Sequence, residues 1–385
     1  MKKMLSITLV LLLILMTTVA CDIMFAAMDY AADYGETDET YPNGTDEYED
    51  YDYLEYDQSY EEEETSIYYN DNYNDEIQYT PDVVTVYLHS NHITNERLAE
   101  MVESGEIPAE VTHLVLASNY ITNLSPLSSL TNLVDLNLWG NEITDLSPLS
   151  NLTNITHLNL WGNQFYDLSP IANLTNLVDL AVGDNLNFNG DLSVLRNFTK
   201  LTRLGLGDTW GARMDFSPIG MLVNLEELQL WGAISLDDLS IFNNLENLRH
   251  LTIHASSVND FSPISNLTNL TRLDLQQNRI NDISQINFGR LTNLTDLFLW
   301  SNQITDITPL SELTNLTFLA LNDNQISDVS PLKGLTGLRS LQLDDNRLSS
   351  EQIDELRIAL PNCDMGTTTF LIDADGGSII IEFDD

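Results

Sequence analysis

Between Val83 and Leu360 the chain repeats one pattern of apolar and polar positions, L-x-x-L-x-L-x-x-N-x-I/L, in units that are mostly 22 residues long. The unit LVDLNLWGNEITDLSPLSNLTN at 133–154 is followed directly by ITHLNLWGNQFYDLSPIANLTN at 155–176. A fixed period of this size predicts a solenoid in which each unit packs against its neighbours. Twelve units begin at Val83, Val111, Leu133, Ile155, Leu177, Leu201, Leu225, Leu248, Leu270, Leu294, Leu316 and Leu338.

The letters of one unit predict its local structure. Positions 4 and 6, such as Leu136 and Leu138, alternate along a short strand and therefore point to the same, inner side. The Asn at position 9, such as Asn141, lies where the chain leaves the strand. Its side-chain amide can hydrogen-bond to backbone groups that have no partner in the sheet. The following S-P-L favours a short 3-10 turn, because proline lacks the N–H of a helix interior. The strands then stack into one parallel sheet, about 4.8 Å apart.

Both ends of a solenoid need caps, because the core is exposed there. The segment NERLAEMVESG at 95–105 predicts a helix with Leu98, Met101 and Val102 on one face. At the other end, Ser349 and Gln352 form a capping-box signature for a helix that runs to Leu360. The stretch TTTFLIDADGGSIIIEF predicts a hairpin that turns at Asp375-Gly376-Gly377.

The first residues read as a secretion signal. Lys2 and Lys3 precede an apolar run from Met4 to Ala20, so we expect a signal peptide over 1–20. The ending T-V-A-C resembles a bacterial lipobox, which implies lipidation of Cys21 and attachment to the outer face of the cytoplasmic membrane. Ordinary cleavage and an uncleaved anchor are the alternatives.

Residues 21–80 are predicted to be a disordered tether. Residues 22–80 hold 20 acidic residues, 12 of the 15 tyrosines and no Lys or Arg, without apolar periodicity. Such a segment repels itself and acts as a spacer; a sticky or cation-binding segment is the alternative. Residues 81–385 carry 39 acidic and 13 basic residues, a net charge of −26. The overall charge of −44 argues against nucleic acid as a partner.

Catalytic and metal-binding signatures are missing from the sequence. There is no G-x-S-x-G, no phosphate-binding glycine loop and no H-E-x-x-H, so we expect a non-enzymatic protein without a cofactor. His250 and His254 lie four residues apart on a predicted strand, about 13 Å, too far to share a metal. Asp373-x-Asp375-Gly376 begins like a calcium loop but lacks the later oxygen ligands, which favours a plain turn.

The two cysteines are not expected to form a disulfide. Cys21 lies at the processing site and Cys363 near the far end of the chain. Two cysteines alone also do not make a zinc site. Cys363 is expected to pack as a small apolar residue.

The repeat LxxLxLxxNxIxDxxPLxxLTN resembles that of the internalins and related surface proteins of Gram-positive bacteria, over about 83–360. The resemblance implies an α/β fold, a right-handed leucine-rich-repeat horseshoe. Parallel strands would line its concave face and 3-10 turns its convex face. We therefore expect a repeat domain over 81–362, including a helical N-terminal cap, and a capping hairpin over 363–385.

Positions 3, 5 and 7 of each unit alternate with the buried positions and should face outward on the concave side. Four of the five tryptophans occupy position 7, and five of the six histidines occupy position 3 or 7. Exposed aromatic residues in one column indicate a binding surface, because something normally covers them. The position-7 column reads His89, Ala117, Trp139, Trp161, Gly183, Gly207, Trp231, His254, Gln276, Trp300, Asn322 and Asp344.

A floor of small residues separates Trp161 from Trp231 in this column. Gly183 and Gly207 leave a predicted gap roughly 15 Å wide, from three strand spacings. The predicted ligand-binding residues are Trp139, Trp161, Trp231, Trp300, His157, Asp179, Arg203, Gly183 and Gly207. Alternatively, Trp139 and Trp161 stack on each other and the small residues only relieve crowding.

The sequence thus predicts a monomeric surface protein that binds another protein, as an adhesin does. Binding of carbohydrate or cell wall by the tryptophans, and a structural role within the envelope, are the other hypotheses.

Overall fold

A computed structural model describes residues 83–185, 187–207 and 213–366, and the backbone of 78–80, 369–372 and 378–381. The predicted signal, lipidation site Cys21 and nearly all of the tether lie outside these residues. So do Trp210, the one tryptophan outside position 7, and the predicted hairpin turn with Asp373 and Asp375. The described residues belong to one compact unit, Glu62–Asp385.

A single sheet of 13 strands forms the repeat domain, with the strands in chain order. Twelve successive strands are parallel, which confirms the predicted solenoid of twelve units. The strands are β1 Gln78–Thr80, β2 Val83–Tyr87, β3 His113–Val115, β4 Asp135–Asn137, β5 His157–Asn159, β6 Asp179–Ala181, β7 Arg203–Leu206, β8 Glu227–Leu230, β9 His250–Ile253, β10 Arg272–Asp274, β11 Asp296–Phe298, β12 Phe318–Ala320 and β13 Ser340–Gln342.

The first strand departs from the prediction. β1 pairs antiparallel with β2 and lies inside the segment 21–80 that the sequence assigned to a disordered tether. The sheet therefore begins before the predicted boundary at residue 81. A short added strand satisfies backbone groups of β2 that would otherwise form an open edge.

Each strand from β3 to β12 is followed by a 3-10 turn, as the S-P-L motif predicts. Most of these turns carry proline in their first positions, where no helical N–H is needed. They span Ser125–Ser129, Ser147–Leu149, Ser169–Ile171, Ser193–Asn197, Ser217–Met221, Leu239–Phe242, Ser262–Asn266, Phe288–Arg290, Thr308–Glu312 and Ser330–Gly334. Strands and turns enclose one continuous apolar core that runs from Val86 to Leu360.

The position-9 asparagines form the ladder that the sequence predicts. Asn141 is buried, and its Nδ2 donates to the carbonyls of Leu138 (3.0 Å) and Leu116 (2.9 Å). Its Oδ1 accepts from the backbone N–H of Ile121 at 3.1 Å. One amide thus joins its own unit to the preceding one and pairs buried backbone groups. The same bonds recur at Asn119, Asn163, Asn302, Asn324 and Asn346.

A second asparagine ladder, which was not predicted from the sequence, follows the L-x-N triplets, most of which are L-T-N. The Nδ2 of Asn154 donates to the carbonyl of Thr131 in the preceding unit at 2.8 Å. These side chains are exposed, so the bonds join the units at their outer edge. Equivalent bonds are made by Asn132, Asn176, Asn224, Asn247, Asn269, Asn293 and Asn315.

The predicted cap at the N-terminal end is present. Helix α1 spans Asn95–Ser104, buries Leu98 and Met101, and ends at Gly105, whose φ of 77° favours glycine. Its N-terminus is capped by the Thr94 side chain, which accepts from the N–H of Arg97.

At the C-terminal end, helix α2 spans Ser350–Ala359 and begins with the predicted capping box of Ser349 and Gln352. Cys363 is half-buried against the core, and burial raises the pKa of its thiol to about 11. The predicted hairpin consists of β14 Thr369–Ile372 and β15 Ser378–Ile381, which pair antiparallel. Among the described helices, none has the length and apolar composition that a membrane span needs.

Candidate functional site

Three columns of side chains cross the face of the sheet opposite the main core. They consist of the residues at positions 3, 5 and 7 of the units, and strand pairing holds each column in register. The position-7 column was given above. The position-3 column passes through His113, Asp135, His157, Asp179, Arg203, Glu227, His250, Arg272 and Asp296 on nine adjacent strands.

The gap predicted between Trp161 and Trp231 is not open. The indole of Trp161 lies across Gly183 and Gly207, which follow the next two strands, β6 and β7. A Cβ at Gly207 would lie only 2.6 Å from Cη2 of Trp161, and one at Gly183 would overlap the same ring. The glycines therefore serve as a flat seat for the indole. The prediction of an empty floor is wrong, because the long side chain leans along the column and fills it.

Trp139 leans the other way. Its ring is parallel to that of His89, with an interplanar angle of 8° and centroids 6.2 Å apart. His89 and Trp139 flank Ala117 in the column, and Ala117 is 1% exposed. The alternative of a Trp139–Trp161 stack is thus replaced by a His89–Trp139 stack over a small residue.

Trp231 rests on a buried polar cluster. The ring of His254 meets the indole edge-on, with centroids 4.1 Å apart. His254 is 3% exposed, and its Nε2 lies 3.0 Å from Oδ1 of Asp274. The amide of Gln276 also contacts the imidazole, at 2.7 Å from Nε2. Both polar neighbours lie at the same ring nitrogen of His254, and the imidazole packs against one side of the indole.

Trp300 belongs to a second, smaller apolar cluster with Phe298, Phe318 and Ala320. The two phenylalanine rings stack at 4.8 Å, and the guanidinium of Arg272 lies 4.5 Å from the centroid of Phe298. Position 5 is buried along much of the sheet, as the low exposure of its residues shows: Val115, Asn137, Asn159, Ala181, Asp274 and Phe298. Residues at positions 3 and 7 dominate this face.

Arg203 joins two acidic neighbours in the position-3 column. Its Nη2 lies 2.6 Å from Oδ2 of Asp179, and its Nε lies 4.0 Å from Oε2 of Glu227. Both acids are largely buried, at 5% and 7% exposure. Burial raises the pKa of Asp179 to about 6, and the positive charge of Arg203 opposes that rise. The Nε2 of Gln229 donates to Oε1 of Glu227 at 2.7 Å.

The histidines of the position-3 column are oriented by their neighbours. Nδ1 of His157 lies 2.8 Å from Oγ1 of Thr156, and His113 makes the same contact with Thr112 at 2.9 Å. His250 lies 3.9 Å from Glu227, whereas His254 faces Asp274, so these two histidines serve different sites. Nowhere in the described ranges do three His, Cys, Asp or Glu side chains meet in a way that suits a metal ion.

The predicted site residues therefore fall into separate groups. Trp161 meets Gly183 and Gly207; Asp179 meets Arg203; Trp139, Trp231 and Trp300 each have their own neighbours. Sequence reasoning missed four contributors to these groups, Glu227, Asp274, Phe298 and Phe318. The alternation of charge down position 3 was the available signal for Glu227.

The family comparisons agree with the fold. Residues 268–326 match the family "Leucine rich repeat", and residues 110–151 and 314–357 match "Leucine Rich repeats (2 copies)". No curated protein sequence matches the chain.

Several solved structures are similar. The chain is 32% identical to an internalin (inlF) from Listeria monocytogenes, over 74% of this chain and 79% of that one, with a TM-score of 0.60. A leucine-rich-repeat protein of Leptospira interrogans shares 22% identity over 69% and 80% of the two chains, with a TM-score of 0.52. A plant peptide hormone receptor, RGFR1 in complex with RGF2, shares 22% identity over 69% and 45%, with a TM-score of 0.51. The last two show the fold alone.

Proposed function

Because the chain belongs to the internalin-like leucine-rich-repeat proteins, we propose that it binds another protein on its concave face, at the surface of a bacterial cell. The observation that carries this proposal is the position-7 column. Its indoles are partly exposed and packed against neighbours, Trp161 against two glycines and Trp231 against His254. Large aromatic residues that are already ordered lose little entropy on binding and dominate interface energetics.

We further propose that the chain is anchored by a lipid on Cys21, after removal of residues 1–20. Residues 21–77 then space the repeat domain from the membrane, and their negative charge keeps the spacer extended. The protein works as a monomeric adhesin in this arrangement. The relationship to an internalin of Listeria monocytogenes supports a bacterial surface role.

A carbohydrate or cell-wall ligand is the second candidate. It is favoured by the flat seat of Trp161, because an indole that lies on backbone presents one broad face outward. Such a face suits the apolar side of a sugar ring as well as a protein side chain. A structural role within the envelope is the remaining candidate, and it needs no soluble ligand.

The test compares the full-length wild type with Trp161→Ala/Trp231→Ala. Tyr120→Ala/Tyr166→Ala is the matched control, because both tyrosines are well exposed and lie outside the three columns. Each immobilised protein is exposed separately to animal cell-surface extract and to a bacterial cell-wall digest, and the bound material is identified by mass spectrometry.

A protein retained by wild type and control but lost from the tryptophan variant supports the proposal. We expect the variant to lose about 2–4 kcal/mol of binding free energy for that partner. A glycan with the same behaviour supports the second candidate. Equal retention by all three proteins contradicts both, and moves the working surface away from the position-7 column.

A further inference from the structure

The position-3 column runs parallel to the tryptophans, about 13 Å away along the strands. From His113 to His250 its residues alternate strictly between basic and acidic types on adjacent strands. Opposite charges on neighbouring strands stabilise each other. The alternation therefore places like charges two strands apart, about 9.6 Å.

At the centre of this column the negative charge exceeds the positive charge. Arg203 lies between Asp179 and Glu227, so one guanidinium serves two largely buried carboxylates. It is in hydrogen-bond distance of Asp179 alone. The nearest positively charged or chargeable groups to Glu227, on Arg203 and His250, are 4.0 and 3.9 Å away. A buried carboxylate is costly until its charge is fully compensated.

The charge of the repeat domain adds a second, independent argument. Residues 81–385 carry a net charge of −26. Such a field attracts basic partners and repels acidic ones during encounter. A basic group that reaches the concave face would meet the incompletely compensated pair Asp179 and Glu227.

We propose that Asp179 and Glu227 receive basic side chains of the bound protein, from a segment in the polyproline II conformation that crosses the strands and carries Lys or Arg at every third residue. The spacing follows from geometry, since three residues make one turn of polyproline II, which returns the side chains to the same face after about 9.3 Å, close to the distance between alternate strands. This proposal rests on the concave face being the binding surface. It specifies the chemistry of the partner, which the aromatic column alone leaves open.

The probe is a fluorescent peptide, RGSRGSRGSRGS, and its affinity for the full-length protein is measured by anisotropy at about 0.15 M salt, where distant charges are screened. The test variant is Asp179→Asn/Glu227→Gln. The matched control is Glu110→Gln/Glu246→Gln, which removes the same charge from exposed sites outside the three columns. The control corrects for general attraction by the acidic chain.

We expect the test variant to bind the peptide at least about tenfold more weakly than the control does, a loss typical of a charge-assisted contact. A peptide of the same composition with its arginines clustered, RRRRGGGGSSSS, should distinguish the two variants much less. Equal affinity of the test and control variants for the spaced peptide overturns the proposal.

Arg203→Gln provides a check with the opposite sign. Removal of the competing guanidinium should tighten binding of the spaced peptide, and the peptide should raise the melting temperature of this variant more than that of wild type. Unchanged or weaker binding by a folded Arg203→Gln protein counts against the proposal. If a captured partner depends on Trp161 and Trp231 but not on Asp179 and Glu227, this inference fails while the proposed function stands.

Discussion

The indole of Trp161 covers Gly207, a residue two strands further along the sheet. The glycine is not required by its backbone angles but by the ring above it. Gly207→Ala would place a methyl group 2.6 Å from Cη2 and 2.7 Å from the Cα of Gly183. We expect a loss of about 1–3 kcal/mol in unfolding free energy, as in other overpacked sites, together with a change in tryptophan fluorescence.

The control for this change is Gly334→Ala, because an added Cβ at Gly334 has no heavy atom within 4 Å. Urea denaturation followed by far-UV circular dichroism gives the free energies. If both alanines cost the same, the seat of Trp161 has no special role.

The buried asparagine ladder should contribute more to the free energy of unfolding than the outer ladder does. Asn141→Ala leaves three hydrogen bonds to buried backbone groups unmade, and we expect a cost of about 1–3 kcal/mol per unpaired group. Asn154→Ala removes one exposed bond, and water replaces it, so the cost should stay below about 1 kcal/mol. Thermal and urea unfolding of the two variants measure the difference. Equal costs would falsify this account of the ladder.

Asp179 should make the protein less stable as the pH rises from about 4 to 6. Its pKa is about 6 in the folded chain against 3.8 in the reference state, so the folded protein holds this proton longer than the unfolded chain. Stability from this group is full below pH 3.8 and is lost as the pH rises through about 6. The loss amounts to about 3 kcal/mol, from a shift of about two pKa units.

The measurement is the difference in unfolding free energy between wild type and Asp179→Asn across this pH range. The difference cancels the titration of groups remote from residue 179, but His157, Arg203, Glu227 and Asp135 face it and respond to the change. Asp328→Asn is the control of opposite sign. Hydrogen bonds from the backbone and side chain of Ser330 lower the pKa of Asp328, so its contribution is lost as the pH falls. A flat difference for Asp179→Asn would contradict the prediction.

Lipidation makes a separate prediction. Cells that express the wild type and are fed labelled palmitate should yield a labelled protein, whereas Cys21→Ser should not. Cys363→Ser is the matched control, since Cys363 is half-buried at the end of the repeat domain and should not affect labelling. If the label persists in Cys21→Ser, the lipid is attached to another residue and the prediction is wrong.

The sequence predicted the strands and turns well because every unit repeats the same pattern of apolar residues and asparagine. Leu136, Leu138 and Asn141 act through neighbours one period away, so the pattern contains both partners of every contact. The direction of Trp161 was not predictable in the same way. A column position fixes where the Cβ points, but the rotamer decides whether the ring stands outward or lies along the sheet.

The charges on the concave face show a similar limit. Arg203 and Asp179 were predicted from their place in the unit. Whether Glu227 also contacts the guanidinium of Arg203 depends on side-chain distances between neighbouring strands, which the sequence does not give. The strand β1 was missed because its residues, Gln78–Thr80, continue the polar composition of the tether. Only pairing with β2 distinguishes them.

The first and last parallel strands, β2 and β13, are each paired on their outer side with another segment of the chain. β1 pairs with β2 at one edge, and at the other Leu341 donates to the carbonyl of Asp364 while Asp364 donates to that of Arg339. Stacked identical units have no inherent length, and an uncovered terminal strand would accept the first strand of a second molecule as readily as a further unit of its own. These two short segments therefore act as chain terminators of a one-dimensional assembly. They bound the row of twelve parallel strands that the structure describes, so the repeating pattern ends at a defined length.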